Sequence, residues 1–199
     1  MPPQTDDNYA VARHPIYRID GDVFGYELLY RTVGGPNAAA IPSDAEATLA
    51  VLANGVHAIS QDIDPKKKIF INFSKEILES GHHKFLEPGR FVIEILEHVS
   101  CDAAFVELVR GIAEAGFVLA LDDYVGQPGF EEIIGLADIV KVDLLGMDPG
   151  RLTSVALGLL RYGCRLLAEK VEDKETYNLA KALGYHLFQG YYFSRPETM

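Results

Sequence analysis

Short runs rich in Val, Ile, Phe and Tyr alternate along the chain with longer stretches whose apolar residues recur at helical spacing. The short runs fall over residues 10–19, 23–30, 68–73, 91–96, 117–121, 139–142, 165–168 and 186–193, and they predict eight strands. Asp20-Gly21-Asp22 separates the first two and is a turn signal, so these two are expected as an antiparallel hairpin. Helical patterns cover 43–60, 102–115, 151–162 and 174–183. The first opens with Ser43 and Glu46 at capping-box spacing. The others stop at Gly116, Gly163 and Gly184, where glycine supplies a C-terminal stop. A helix, a glycine and a strand in repeated order are the signature of βα units on a parallel sheet. No linker rich in Pro, Gly or Ser divides the chain. The expectation is an α/β fold in a single domain over 1–199, with its core at about 10–196. Its form would be a compact TIM-like (β/α)8 barrel with an antiparallel first strand. The stretches 34–42 and 82–89 read as irregular connections.

Polar residues interrupt this pattern in a regular way. Glu27, Asn72, Glu94, Asp122 with Asp123, Lys141, Glu169 and Gln189 each stand inside or at the end of an apolar run. A carboxylate buried beside others must be protonated, paired or bound to a cation. In a parallel barrel the strand C-termini converge on one rim, where sites form. The five acids and Asn72 are therefore expected together, and Lys141 alone does not neutralise them. Any one of them taken singly reads as a solvated rim residue. As a set of hard oxygen ligands they suit Mg²⁺, Mn²⁺ or Ca²⁺. Two such ions about 3.5–4 Å apart are a known device for attacking a phosphodiester.

Composition narrows the partners. The 199 residues carry a formal charge of −11, whose field repels long nucleic acid and anionic membrane. No DNA or RNA polymer and no membrane partner is expected. A small phosphate ligand stays compatible where local cations bridge it. The two cysteines, Cys101 and Cys164, form no CxxC pattern and read as reduced thiols rather than a zinc ribbon. Residues 1–8 lack the basic start and apolar core of a signal peptide. No apolar run approaches the roughly 20 residues that cross a bilayer. The expectation is a soluble, cytoplasmic protein. His82-His83 reads as a solvated loop pair, and Lys66-Lys67-Lys68 as a solvated turn before a strand.

The residues resemble one family in order. Glu27-Leu28-Leu29-Tyr30-Arg31 is similar to the EAL signature, with Leu28 in place of alanine. Ile71-Asn72-Phe73-Ser74 resembles its Asn–x–Ser strand, and Glu94-Ile95-Leu96-Glu97 its Glu–x–x–Glu strand. Asp122-Asp123-Tyr124 is similar to Asp–Asp–Phe, and Lys141-Val142-Asp143 matches Lys–x–Asp. Ala168-Glu169-Lys170-Val171-Glu172 resembles Ala–Glu–Gly–Val–Glu, and the stretch from Gln189 to Pro196 resembles the closing strand. The resemblance spans about 10–196 and implies an EAL-type barrel that hydrolyses cyclic di-GMP to pGpG in bacterial second-messenger signalling. It implies Glu27, Asn72, Glu94, Asp122, Asp123 and Glu169 as ligands of a two-ion Mg²⁺ or Mn²⁺ site, with Ca²⁺ as an inhibitor. By the same resemblance Glu27, Lys141 and Glu169 are catalytic, Lys141 positioning or activating the attacking water. Arg31, Glu172 and Gln189 contact or orient the dinucleotide, and Glu97 braces the loop after Asp123.

The chain also departs from the family. His14 replaces a ligand-contacting glutamine of the first strand. Tyr124-Val125-Gly126-Gln127-Pro128-Gly129 replaces a Gly–Thr–Gly segment tied to metal and dimer contacts. Val125 does not readily take the positive φ open to glycine, so a different loop path is expected. These features most resemble EAL domains that precede an HDOD domain. The partners implied are cyclic di-GMP and either a second copy of the chain or a signalling domain. The alternatives are a weak or inactive EAL domain serving as a cyclic di-GMP receptor, a protein-interaction module that binds no nucleotide, and a metal-dependent barrel acting on another phosphorylated compound.

Overall fold

The computed structural model describes residues 9–32 and 62–198, without the side chains of residues 9, 10 and 30–32. The helix expected over 43–60 and the connection over 34–42 lie outside the described residues.

Two long strands, β1 (Tyr9–Arg18) and β2 (Val23–Thr32), form the expected antiparallel hairpin, with His14 opposite Glu27. Six further strands follow: β3 (Lys68–Phe73), β4 (Phe91–Ile95), β5 (Val118–Tyr124), β6 (Ile139–Asp143), β7 (Arg165–Glu169) and β8 (Leu187–Phe188). From β2 to β8 each strand pairs parallel with the next. Tyr17 and Arg18 of β1 pair antiparallel with β8 and close the ring. The result is a mixed eight-stranded barrel with one antiparallel strand. A short β9 (Glu197–Thr198), not expected from the sequence, pairs with β1 at Ala12 and Arg13. An Arg13–Glu197 ion pair at 3.2 Å accompanies it.

The described helices are α1 (Lys75–Glu79), α2 (Ala103–Glu114), α3 (Glu131–Leu136), α4 (Pro149–Leu160) and α5 (Lys174–Ala182). Three of them start on an aspartate that accepts from the free N–H groups of the first turn. Asp102 accepts from Phe105, Asp148 from Gly150 and Arg151, and Asp173 from Thr176. Asp148-Pro149 is a cap followed by a proline at the first helical position, which moves the start of α4 ahead of the expected residue 151. α2 buries Phe105, Val106, Val109 and Ile112 along one stripe. α1 and α3 are too short to show a helical period. A 3₁₀ turn at His82–Phe85 occupies part of the expected irregular connection. His83, expected in solvent, is buried edge-on against Phe117 with ring centroids 5.8 Å apart, because that turn rolls it inward.

Strand alternation sorts the core into two layers. Ile69, Ile71 and Phe73 of β3 face the helices with most of the apolar core. Phe70 faces the other way. It joins Ile16, Phe24, Val92, Ala120, Ile139, Leu167 and Leu187 in a separate cluster. Each of β1–β8 gives one residue to this cluster, which is the apolar floor inside the barrel.

The last strand is shorter than the expected 186–193. After Phe188 the chain turns at Gly190, whose φ is +152 and whose backbone lies directly on Val171. Val171 N–H donates to the Gln189 carbonyl at 3.1 Å, and Tyr192 N–H donates to the Val171 carbonyl at 3.0 Å. A Cβ at Gly190 would overlap the backbone N, C and O of Val171. Gly190→Ala is expected to cost about 2–3 kcal/mol by chemical denaturation, from overlap and disfavoured φ together. An unchanged midpoint would show that this contact is not rigid.

Candidate functional site

The polar interior follows from the same alternation. Two residues beyond the floor on each parallel strand, the same face carries Asn72 after Phe70, Glu94 after Val92 and Asp122 after Ala120. Lys141 follows Ile139, Glu169 follows Leu167 and Gln189 follows Leu187. On β1, which runs the other way, His14 stands two before Ile16. On β2 the step from Phe24 to Glu27 is one residue longer, where the β1–β2 register shifts. The polar layer thus lies inside the barrel, one level above the floor, rather than on an open rim. Glu94 and Lys141 have no solvent exposure, and Glu27, Asp122, Glu169, Gln189 and His14 are buried.

Lys141 sits at the centre. Its Nζ lies 2.5 Å from Glu94 Oε1, 2.6 Å from Asp122 Oδ1, 3.1 Å from Glu169 Oε1 and 3.6 Å from Glu27 Oε1. Glu27 is held from two further sides. Gln189 Nε2 donates to its Oε2 at 2.8 Å, and Asn72 Nδ2 donates to its Oε1 at 3.4 Å. The one buried ammonium faces four carboxylates. Burial works against the charged lysine, but Asp122, Glu169, Glu27 and Glu94 outweigh it and hold its pKa well above the ordinary value. Glu94 and Glu169 shift upward too. Burial is the main cause, and the neighbouring carboxylates add to it against the pull of Lys141. Glu94 Oε2 carries no hydrogen bond among the described residues, and neither does Glu169 Oε2.

At the mouth of this layer Asp122, Asp123 and Glu169 offer oxygens that all lie within 4.8 Å of one another. Asp122 points inward by alternation. Asp123 reaches the same place because its backbone takes φ +41. Lys170, also at positive φ (+53), sends its ammonium to Asp123 Oδ1 at 3.0 Å and to Asp143 Oδ2 at 2.6 Å. Burial would lower the Lys170 pKa, but the bonds to Asp143 and Asp123 win and raise it. A cavity of about 340 Å³ opens here, within the range of small-molecule sites. Glu27, Asp122, Asp123, Glu169, Glu172 and Gln189 line it, and His14 and Lys170 lie on its wall.

The barrel therefore brings together Glu27, Glu94, Asp122, Lys141 and Glu169, with Asn72, Gln189 and Asp123 in contact with members of that group. Glu172 and His14 reach the cavity, while His14 Nε2 lies 3.1 Å from the Ser194 carbonyl oxygen. Arg31 lies on β2, and its side chain is outside the described residues. Glu97 pairs with its neighbour His98 at 3.5 Å. In the loop after Asp123 the positive φ values fall on Gly126 (+87) and Gly129 (+92), and Val125 avoids them. Val125 N–H donates to Gln127 Oε1 at 2.8 Å, and Arg151 donates to the Val125 carbonyl at 2.6 Å. The sequence pointed to no role for Lys170, for Asp143 or for Tyr191, which also lines the cavity. Lys170 carried a signal, since it stands where the resemblance has glycine. No helix among the described residues is long and apolar enough to cross a membrane.

A sequence model of the EAL domain matches residues 5–196. The cyclic di-GMP phosphodiesterase CdgJ of Vibrio cholerae is 34% identical over 195 residues, which cover 95% of this chain and 44% of CdgJ. The uncharacterized protein YuxH of Bacillus subtilis is 32% identical over 197 residues, covering 95% of this chain and 47% of YuxH. The chain thus spans about half the length of these curated relatives. Among solved structures, the Bacillus subtilis YkuI protein, with an EAL domain and in complex with c-di-GMP and calcium, superposes with a TM-score of 0.77 at 24% identity. That match covers 97% of this chain and 56% of YkuI. The manganese/cyclic di-GMP complex of Klebsiella pneumoniae BlrP1 gives a TM-score of 0.78 at 23% identity, covering 100% of this chain and 58% of BlrP1. At these identities the two structures speak for the barrel fold.

Proposed function

This chain belongs to the EAL domain family, and on that premise we propose that it is a divalent-metal-dependent phosphodiesterase that opens cyclic di-GMP to pGpG. The observation that carries the reading is the set of four buried carboxylates from four strands around one lysine, directly below a small-molecule cavity. Such a set is poorly compensated by the chain's own cations, so it fits added positive charge. The donors are all oxygen, and Glu94 Oε2 and Glu169 Oε2 lack hydrogen bonds among the described residues, which suits Mg²⁺ or Mn²⁺. Glu27, Asn72, Glu94, Asp122, Asp123 and Glu169 would hold these ions. Bound there, they supply Lewis acidity and a water of lowered pKa for attack on phosphorus.

The chain's residues do the rest. Gln189 and Asn72 fix the Glu27 carboxylate from opposite oxygens. In the metal-free protein the four carboxylates hold the Lys141 proton in place, and its ammonium orders them around one point beside the cavity. His14, Glu172 and Arg31 are assigned to the dinucleotide, on the strength of the cavity for the first two and of the signature motif for Arg31. Water adds across one phosphodiester, forming one P–O bond as another breaks, and the cavity wall orients the ring for in-line attack.

The test is incubation with cyclic di-GMP and Mn²⁺, followed by separation of the products. Formation of pGpG that stops with EDTA is expected. Tight binding without pGpG would overturn the enzymatic reading and leave a cyclic di-GMP receptor.

A further inference from the structure

Lys170 occupies a position that needs explanation. It takes φ +53, a left-handed region that residues with a Cβ enter only at a cost. Glycine would enter it freely, and glycine is what the signature that this stretch resembles has at the same place. A lysine persists in such a conformation where its side chain makes a compensating contact. Its ammonium bridges Asp123 Oδ1 at 3.0 Å and Asp143 Oδ2 at 2.6 Å, and the side chain lies on the cavity wall. Asp123 is shared. The same carboxylate lies within reach of Asp122 and Glu169 in the group able to hold a metal ion. Asp143, the other end of the bridge, is paired across the β6–β7 ladder with Glu169. A positive charge borne by the chain therefore stands against the corner of the acidic site that faces the cavity. Lys141 already fills the buried end.

We propose that Lys170 is a tethered cation that competes for Asp123, so that a second divalent ion binds only by displacing its ammonium and the two ions are held with unequal affinity. The inference rests on the metal-dependent reading above. The physical reason is that a divalent ion and an ammonium cannot both take the same carboxylate oxygen without mutual repulsion. In the partly buried mouth of the barrel this repulsion is weakly screened. Losing the ammonium removes the repulsion and leaves Asp123 free to turn toward Asp122 and Glu169. Lys170 is thus a positioning residue that sets how readily the second ion enters.

The measurement is a Mn²⁺ binding isotherm from the electron paramagnetic resonance signal of free ion, with no nucleotide present. Wild type is compared with Lys170→Met, Lys170→Gly and Lys170→Arg. The side chain is partly exposed, so these variants keep the fold, and melting of the metal-free proteins checks it. In Lys170→Met and Lys170→Gly the weaker step should tighten about tenfold, or a second equivalent should appear where wild type shows one. Lys170→Arg should follow wild type, because the charge is kept. Superimposable isotherms for wild type and Lys170→Met would overturn the proposal alone. So would Lys170→Arg behaving like Lys170→Met, which would mark the lysine as a packing element. No Mn²⁺ bound by any of the four proteins would overturn this proposal together with the metal-dependent reading.

Discussion

Replacing Lys141 with methionine in the metal-free protein should lower stability by about 3–5 kcal/mol at neutral pH, the usual cost of breaking a buried ion pair from one side. For a chain of this length that is a fall in melting temperature of roughly 6–20 °C. Methionine keeps much of the side-chain volume, so the loss reports charge and not a cavity. Lys141 has no solvent exposure and stands within 4 Å of four carboxylates. Without it, the hydrogen bonds from Gln189 and Asn72 to Glu27 remain among the described residues to oppose their repulsion. The variant is expected to recover as pH falls, because protonation of Glu94 and Glu169 relieves the cluster. Mn²⁺ should also restore part of the loss. Equal melting temperatures for wild type and variant in EDTA would show that the carboxylates are not mutually repelling.

Glu169→Gln should separate function from stability. The substitution removes a carboxylate whose pKa is pushed up by burial and by its neighbours. In the metal-free protein at pH 8 the melting temperature should therefore hold or rise, since one repulsive charge is gone. Turnover of cyclic di-GMP should fall about 10²–10³-fold, the scale of losing one electrostatic contact to a transition state. A more stable protein that loses activity is the pattern of a site strained for its function. A Glu169→Gln protein with wild-type turnover would remove this residue from the machinery. A large drop in its metal-free stability would contradict the repulsion.

The barrel was legible because its strands are buried on both faces. Such strands read as short apolar runs, and Gly116, Gly163 and Gly184 marked where three of the helices hand over to the next strand. The hairpin followed from Asp20-Gly21-Asp22. Residues with no periodic signal were missed. α1 and α3 are too brief for a helical stripe, and β9 is a two-residue addition to an edge of β1. The final strand was drawn too long because Tyr191, Tyr192 and Phe193 have strand composition. Their backbone instead turns at Gly190 to follow Val171. The polar residues were visible at the strand ends. Their depth was not, because a sequence read one strand at a time gives no level. Counting two residues from the floor cluster places Glu94 and Lys141 within the barrel and not on its rim. Lys170 escaped because a lysine beside acidic residues is ordinary in sequence. Its meaning depends on φ and on reaching Asp123, which is 47 positions away.

On the proposed reading, this acidic interior is brought to rest by an added cation. In the metal-free protein the raised carboxyl groups of Glu94 and Glu169 hold protons that the unfolded chain has already released. Their contribution to stability therefore falls as pH rises from the ordinary carboxylate range toward their raised values. A divalent ion must displace those protons, so its stabilising effect should grow in the same direction. The most direct measurement is the melting temperature against Mn²⁺ concentration at pH 6 and at pH 8. The melting temperature should rise and keep rising with concentration, by the equivalent of about 2.7 kcal/mol at a hundredfold excess over Kd, and by more at pH 8. A melting temperature that stays flat across the titration at both pH values would contradict this reading.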